Sequence, residues 1–284
     1  MSSTFFLTDG AAQFLSPSFP GKRLLRTLPY DLSLGGVRYP EGKNVKVLQF
    51  PEFLVSRTDL ALQPPAEEAL INLLSPIAQT YDDVCGIFSS SYLSGIYEQV
   101  AKALTNVHGR SVFHLVDSLT TSVGLGALVQ KAASQAIRGV PIAQIEHSLR
   151  LLIPHIYFLV CAPGLSYMRN SNFIDNGQAI VGDLLNLYPI FSMEEGHLNP
   201  FDKVRNPRSV LEFFIEFIDE FDNLETVCFL QSQSSPNPDS RMIKQHLDEF
   251  YSDTHYAEYP MNLPLAAMLG PASFGIVIVE KIAM

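Results

Sequence analysis

The side chains most suited to chemistry lie in a serine-rich segment, residues 88–97, which reads FSSSYLSGIY. It follows a short apolar run and leads into a helical pattern, so we predict that it joins a strand to a helix. Free backbone N–H groups at a helix start, with nearby hydroxyl groups, suit an anion such as a carboxylate or phosphate. The pattern also fits a simpler role, in which Ser94 only caps the helix. A serine nucleophile has less support, because there is no GxSxG elbow and no His or Asp partner can be assigned.

A second candidate ligand segment, residues 117–126, follows another predicted strand and contains Gly124 and Gly126. Because glycine lacks a Cβ atom, these positions allow the backbone to approach either a ligand or a neighbouring helix. Asp9 follows the first predicted strand, at a position where α/β proteins often bind ligands. It could orient a ligand or cap a helix, and the sequence leaves both open.

Metal and disulfide chemistry find no support in the pattern of residues. The seven histidines show no HxxxH or HExxH spacing, so we expect no metal site. Cys85, Cys161 and Cys228 lie far apart and form no CxxC motif. Cys85 and Cys161 lie in apolar runs, which indicates buried and unreactive thiols.

Strands and helices alternate in the first half of the chain, which is typical of a parallel sheet with helices on its faces. Strands are predicted at residues 4–8, 28–34, 84–88 and 112–116, and helices at 64–78, 94–104, 124–138 and 142–152. From residue 155 the pattern changes to strands at 155–162, 189–193, 197–204, 227–231 and 274–279, with helices at 179–187, 207–221 and 241–251. The strands on either side of residues 194–196 are typical of a hairpin, and residues 232–239 are predicted to be a polar loop. We therefore predict an α/β fold of two domains, an N-terminal α/β domain (1–152) and a C-terminal α+β domain (153–284).

The composition excludes several classes of protein. Hydrophobic residues make up 47% of the 284 residues and the net charge is −10, which argues against a disordered chain and a general nucleic-acid binder. A membrane-spanning helix needs about 20 apolar residues, but the longest uncharged run, residues 259–279, contains Pro260, Pro264 and Pro271. No signal peptide is visible, so we expect a soluble cytoplasmic protein. Its apolar residues then form a large core, or a core that also holds an apolar ligand.

Taken in order, these motifs resemble those of the DegV family, bacterial fatty-acid-binding proteins that include the lipid-carrying subunit of fatty acid kinase. The resemblance covers nearly the whole chain and rests on the number, order and spacing of individually weak matches. These are Thr8-Asp9, Gln63-Pro64, residues 90–97, residues 116–126, residues 181–190, Lys203-Val204-Arg205 and residues 270–275.

The resemblance implies a non-enzymatic protein that holds a long-chain fatty acid or a similar acyl ligand in a tunnel between two domains. In the family, a threonine, a serine and a histidine bind the carboxylate. Their positions fall on Ala61, Ser94 and Met268, so only the serine is retained. We expect the ligand head near these three residues and Gly95. The other predicted ligand-binding residues are Ser91, Ser122, Gly124, Gly126 and Ile174.

The resemblance also implies a partner, the catalytic subunit of a fatty acid kinase, and no cofactor. The family's Gly-Gly-Arg motif, which is associated with that partner, falls on Ser171-Asn172-Phe173, so its arginine is missing. Arg205 is retained and is the predicted partner-binding residue.

The two lost headgroup residues have a physical cost, because a buried carboxylate with few donors pays for its lost hydration. The ligand would bind as the neutral acid, find other donors, use Ser94 and backbone N–H groups alone, or carry an ester, alcohol or aldehyde head. Each buried CH₂ contributes about 0.8 kcal/mol, so the tail can supply most of the affinity. Three hypotheses result: a lipid-binding protein; a diverged sensor or interaction protein without a kinase partner; and a hydrolase or transferase that uses Ser94.

Overall fold

Three β-sheets organise this protein, whose computed structural model describes residues 3–56, 58–231 and 240–282. The predicted loop at residues 232–239 lies outside that range. The first half contains β1 (Thr4–Asp9), β2 (Leu25–Leu28), β3 (Asp31–Leu34), β4 (Val37–Tyr39), β5 (Leu60–Gln63), α1 (Glu67–Thr80), β6 (Asp83–Phe88), α2 (Ser91–Ser94), α3 (Ile96–Leu104), β7 (Val112–Asp117), α4 (Ser122–Ile137) and α5 (Ile142–Leu152). The second half contains β8 (Ile156–Cys161), α6 (Ser166–Asn170), α7 (Asn176–Leu184), β9 (Tyr188–Glu194), β10 (His197–Val204), α8 (Pro207–Ile218), β11 (Leu224–Gln231), α9 (Arg241–Phe250), β12 (His255–Pro260), α10 (Leu263–Leu269) and β13 (Phe274–Glu280).

The N-terminal sheet is entirely parallel, with the strand order β2-β1-β6-β7. Successive side chains of a strand point to opposite faces. Phe6 and Cys85 therefore pack with α4 and α5 on one face, whereas Leu7 and Val84 pack with α1 and α3 on the other. Because both faces are covered at the centre of the sheet, the central strands β1 and β6 are mostly apolar, which allowed the sequence to predict them. The edge strand β2 exposes Arg26 and Thr27 and was not predicted as a separate strand.

The predicted strand at residues 28–34 is wrong, because the structure divides it between two sheets. β2 ends at Leu28 in the parallel sheet, and β3 begins at Asp31 in a three-stranded antiparallel sheet with the order β4-β3-β5. Pro29 lies at the break and has no N–H group to donate to a sheet ladder. The small sheet was not predicted. It contacts the C-terminal domain, where the side chain of Asn170 donates a hydrogen bond of 2.9 Å to the carbonyl oxygen of Leu60.

The C-terminal sheet has the order β10-β9-β8-β13-β11-β12 and is antiparallel except between β11 and β12. One face packs against α8 and α9. The other face shares an apolar cluster with α4, so this helix lies between the two large sheets. The predicted α/β architecture of two domains is confirmed. The predicted boundary at Leu152 falls at the end of α5, before β8, and its position stays a prediction.

None of the helices in the described part of the chain has the length and apolar character that crossing a membrane requires.

Candidate functional site

A cavity of about 310 Å³ lies between the two domains. The N-terminal domain contributes β5 and α2 to its wall, and the C-terminal domain contributes α6, the loop after it, and α10. Three of the predicted headgroup positions meet here although they are far apart in sequence. The lining residues are Ala61, Leu62, Leu93, Ser94, Asn170, Ser171, Asn172, Ala267 and Met268.

Ser94 is the hydroxyl that the N-terminal domain presents to this cavity. Its Oγ accepts a hydrogen bond of 2.8 Å from the phenol of Tyr30, which is buried behind it. Burial, followed by the negative charge of Asp9, raises the pKa of Tyr30 well above its usual range. The phenol therefore stays protonated and can donate to Ser94 at neutral pH.

Asp9 lies at the buried end of the same polar network. Its carboxylate accepts hydrogen bonds from the backbone N–H groups of Ala11 at 2.9 Å and of Ser89 at 2.6 Å, and from the hydroxyl of Ser89 at 3.0 Å. Burial raises the pKa of Asp9, and these hydrogen bonds oppose the shift. Asp9 therefore joins the ends of β1 and β6, and it neither caps a helix nor lines the cavity.

The other serines of the segment have different partners. The hydroxyl of Ser90 donates to the carbonyl oxygen of Gly196 at 2.7 Å, and its oxygen accepts from the backbone N–H of Tyr92 at 3.3 Å. The backbone N–H of Ser91 lies 3.3 Å from each carboxylate oxygen of Asp117, and Ser91 is not among the residues that line the cavity.

The capping interpretation of Ser94 is wrong. The predicted helix at residues 94–104 is two helices, because α2 ends at Ser94 and α3 begins at Ile96. Gly95 stands between them with a positive φ of 62°, a conformation that glycine adopts without strain. No side chain caps α3, whereas the side chain of Ser90 caps α2. Ser94 is therefore left to face the cavity.

Ala61 and Met268 contribute apolar side chains to the lining of the same cavity. The nearby polar groups come from the end of α6 and the loop after it, and the sequence did not identify them as donors. The hydroxyl of Ser171 donates to the carbonyl oxygen of Met268 at 3.1 Å, and Asn170 donates to Leu60 as described above. Ser171 lies at the counterpart of the Gly-Gly-Arg motif, which was the available signal for it, whereas no sequence pattern distinguished Asn170 or Tyr30.

The other predicted ligand-binding residues lie outside this cavity. Ser122 is buried and donates to the side chain of Gln13 at 2.8 Å. A Cβ atom on Gly126 would lie 1.9 Å from the carbonyl oxygen of Gln13, and one on Gly124 would lie 2.6 Å from Ile156. These contacts give both glycines a role in helix packing, and their contact with a ligand stays a prediction.

Ile174 lines an adjacent cavity of about 620 Å³, together with Arg169, Asn172 and Phe173. Asn172 belongs to both cavities, so they adjoin. Phe173, at the position of the missing arginine, is half-buried and packs against the central apolar cluster. Arg205 is exposed just after β10 and forms no ion pair with a residue that the structure describes.

The cysteines are buried, as predicted for Cys85 and Cys161, and none is in a disulfide. Burial raises the pKa of Cys85 to about 12 and that of Cys228 to about 12, and it also raises the pKa of Cys161. Within the described ranges, no His or carboxylate group hydrogen-bonds to Ser94, and no group of three or more His, Cys, Asp or Glu residues could hold a metal ion.

A family model described as "Uncharacterised protein, DegV family" matches residues 6–281. A DegV domain-containing protein of Streptococcus pneumoniae is 25% identical over 246 residues, which cover 86% of this chain and 86% of the relative. Another, from Caldanaerobacter subterraneus, is 25% identical over 191 residues, which cover 67% of this chain and 68% of the relative.

Solved structures show the same fold at lower sequence identity. A fatty acid binding DegV family protein of Streptococcus agalactiae has a TM-score of 0.84 at 19% identity and covers 99% of this chain and 100% of its own. A DegV family protein of Thermus thermophilus, described by its fatty acid binding, has a TM-score of 0.81 at 19% identity, with 98% and 100% covered. A third, from Eubacterium eligens, was loaded with heptadecanoic acid and has a TM-score of 0.81 at 12% identity, with 98% and 100% covered.

Proposed function

This chain belongs to the DegV family, and on that premise we propose that it binds one long-chain fatty acid or a related acyl ligand between its two domains. The observation that carries the proposal is the cavity that brings Ala61, Ser94 and Met268 together from both domains. Solved relatives that bind fatty acids support it. The ligand head would lie in this cavity, close to Ser94.

The apolar cluster between the sheets supports the placement of the tail. It contains side chains of both domains, among them Leu60 and Val123 from the N-terminal domain and Phe158 and Leu265 from the C-terminal domain. Each CH₂ buried there would contribute about 0.8 kcal/mol. We propose that the protein holds the ligand without chemical change, since Ser94 has a phenol as its partner where a nucleophile would need a base.

Native mass spectrometry of the purified protein, followed by lipid extraction, tests this proposal. We expect a mass increment of one acyl ligand per chain, and its return when hexadecanoic acid is added to delipidated protein. Ala61→Phe should fill the cavity and abolish the increment, whereas Gln63→Phe, on the same strand but outside the cavity, should retain it. A single unloaded mass at every concentration of added lipid would contradict the proposal.

A second candidate function is that of a sensor or interaction protein that serves no fatty acid kinase. The favouring observation is Phe173, which packs against the apolar cluster where the resemblance implies an arginine for the kinase. The test is to offer the loaded protein and ATP to the catalytic subunit of a fatty acid kinase. Efficient phosphorylation of the bound fatty acid would reject this candidate and support the kinase as a partner, with Arg205 at its contact.

We place the protein in the cytoplasm, because its cysteines are unpaired thiols.

A further inference from the structure

The cavity proposed for the ligand head has an unusual electrostatic character for a site that would hold an anion. None of the nine residues that line it, all in the described part of the chain, carries a formal charge. A carboxylate is stabilised in a partly dehydrated site by a cation or by several hydrogen-bond donors aimed at it. Whether this cavity can stabilise a carboxylate therefore depends on the hydrogen-bond donors around it that are available to a ligand.

Most of the polar groups around the cavity already have partners within the protein. The amide of Asn170 donates to the carbonyl oxygen of Leu60 at 2.9 Å, and the hydroxyl of Ser171 donates to that of Met268 at 3.1 Å. Moving the Ser171 hydroxyl to a ligand would leave the carbonyl oxygen of Met268 without this hydrogen bond, so it is not a low-cost donor. The amide of Asn170 has a second N–H besides the one that Leu60 accepts, and this N–H is an uncharged donor.

Ser94 differs, because its oxygen accepts the proton of Tyr30 and its own hydrogen remains to be donated. Tyr30 is only 4% exposed, so no bulk water competes for that phenol. Behind Tyr30, the buried Asp9 accepts hydrogen bonds from the backbone N–H groups of Ala11 and Ser89 and from the Ser89 hydroxyl, and its carboxylate also interacts with the phenol of Tyr30. Among the residues that the structure describes, no Lys, Arg or His forms an ion pair with Asp9. When ionised, Asp9 raises the pKa of Tyr30, and its charge would also oppose a second carboxylate nearby.

We propose that this cavity selects acyl ligands with an uncharged oxygen head over carboxylates, and that Tyr30 is a positioning residue that holds Ser94 as the hydrogen-bond donor. The protonated acid, an ester and an alcohol share this chemistry, since each offers an oxygen that can accept one hydrogen bond. The inference rests on the proposed function and narrows the class of ligand.

The competing placement for a carboxylate is the adjacent cavity, where Arg169 supplies a positive charge. Its guanidinium donates to the carbonyl oxygen of Leu54 at 2.7 Å and lies 3.4 Å from the side-chain oxygen of Asn176. An acid bound there would depend on Arg169, and an uncharged head at Ser94 would not, so a variant of Arg169 separates the two placements.

The experiment offers delipidated protein an equimolar mixture of hexadecanoic acid, hexadecan-1-ol and methyl hexadecanoate, and quantifies the extracted lipids at pH 8 and pH 5. We expect the alcohol and the ester to exceed the acid by at least about tenfold at pH 8, which corresponds to about 1.4 kcal/mol of discrimination. At pH 5 the acid should gain severalfold on the ester, because more of it is protonated. An excess of acid at pH 8 would overturn the proposal and leave the proposed function intact. Failure of all three lipids to bind would reject both.

Three variants test which residues cause the preference for an uncharged head. Tyr30→Phe keeps the ring and frees Ser94 to rotate, so the ester-to-acid ratio at pH 8 should fall severalfold. Tyr259→Phe is the matched control, because it loses a comparable phenol hydrogen bond of 3.0 Å to Leu15 outside the cavity and should leave the ratio unchanged. Arg169→Gln should also leave the ratio unchanged. An unchanged ratio in Tyr30→Phe, or loss of acid binding in Arg169→Gln, would overturn the assignment.

Discussion

The hydroxyl of Ser90 donates a hydrogen bond of 2.7 Å to the carbonyl oxygen of Gly196, which joins the serine-rich segment to the tip of the β9–β10 hairpin. Beside this bond, the ring of Tyr92 stacks on His197 with 3.5 Å between the ring centroids. The segment is thus fixed to the C-terminal domain at one end, and four residues later Ser94 faces the cavity. The contact of the two domains and the placement of the ligand donor therefore depend on the same short stretch of chain.

Ser90→Ala tests this connection. The variant loses a buried hydrogen bond and leaves a buried carbonyl oxygen unpaired, which we expect to lower the free energy of unfolding by about 1–3 kcal/mol. Urea denaturation followed by circular dichroism measures the change. Ser91→Ala is the matched control, because only the backbone of Ser91 forms a hydrogen bond there, and it should stay within about 0.5 kcal/mol of the wild type. Equal losses in the two variants would contradict the role given to Ser90.

Gly126→Ala should destabilise the protein through packing. The added Cβ atom would lie 1.9 Å from the carbonyl oxygen of Gln13, a backbone atom that cannot turn away. Overpacking of this kind costs about 1–3 kcal/mol and occasionally more. Gly10→Ala is the control, since the nearest atoms to its new Cβ would be 3.6 Å away. Thermal unfolding measures the stability of both variants. If Gly126→Ala is as stable as the wild type but no longer binds lipid, Gly126 contacts the ligand and its role is not in helix packing.

Periodicity predicted the elements that are buried along a whole face. Helix α5 occupies the predicted residues 142–152, and the β9–β10 hairpin surrounds the predicted turn. It failed at residues 28–34, where apolar residues continue across Pro29 although the chain changes sheets. A strand pattern shows that a face is buried, but it does not show to which sheet the strand belongs. The separate sheet of β3, β4 and β5 was therefore not predicted.

The residues of the candidate site also fall into those that the sequence predicted and those that it did not. Motif order located Ala61, Ser94 and Met268, which meet in one cavity. Tyr30 could not be found, because its importance comes from a hydrogen bond to a residue 64 positions away. Long-range polar contacts leave no periodic trace in a single sequence.

The buried carboxyl of Asp9 should give stability a specific pH dependence. Its pKa in the folded state is raised above the ordinary value of 3.8, chiefly by burial. The folded state therefore binds this proton more readily than the unfolded state, and stability relative to an uncharged residue rises as pH falls through the folded-state pKa toward 3.8. We expect the difference in unfolding free energy between wild type and Asp9→Asn to shift in favour of the wild type from pH 7 to pH 4.

Urea titrations of both proteins at several pH values measure that difference. The other carboxyl groups are the same in both proteins, so their contributions to the pH dependence cancel. A difference that moves toward Asp9→Asn as pH falls would mean that the pKa of Asp9 is lowered in the folded protein.

The thiols should be inert in the folded protein. Because burial raises the pKa of Cys85 and of Cys228 to about 12, the thiolate fraction at pH 8 is at least about a thousandfold below that of a free cysteine. We expect a disulfide reagent to label no thiol in native protein within minutes, and to label Cys85, Cys161 and Cys228 in urea. Rapid labelling without denaturant would show that one of these side chains reaches solvent by local opening.

Met268→His should convert the cavity from uncharged to anion-binding. The resemblance places a histidine at this position, and Met268 lines the same cavity as Ser94. A protonated imidazole can form a charge-assisted hydrogen bond to a carboxylate, worth about 1.5–3 kcal/mol, so affinity for hexadecanoic acid near pH 6 should rise about tenfold or more. The gain should shrink as pH rises beyond the usual histidine pKa of about 6.5. Affinity for the methyl ester should not follow pH, and Met268→Leu should bind both lipids as the wild type does. A gain for acid and ester alike would mean that the substitution only reshapes the cavity.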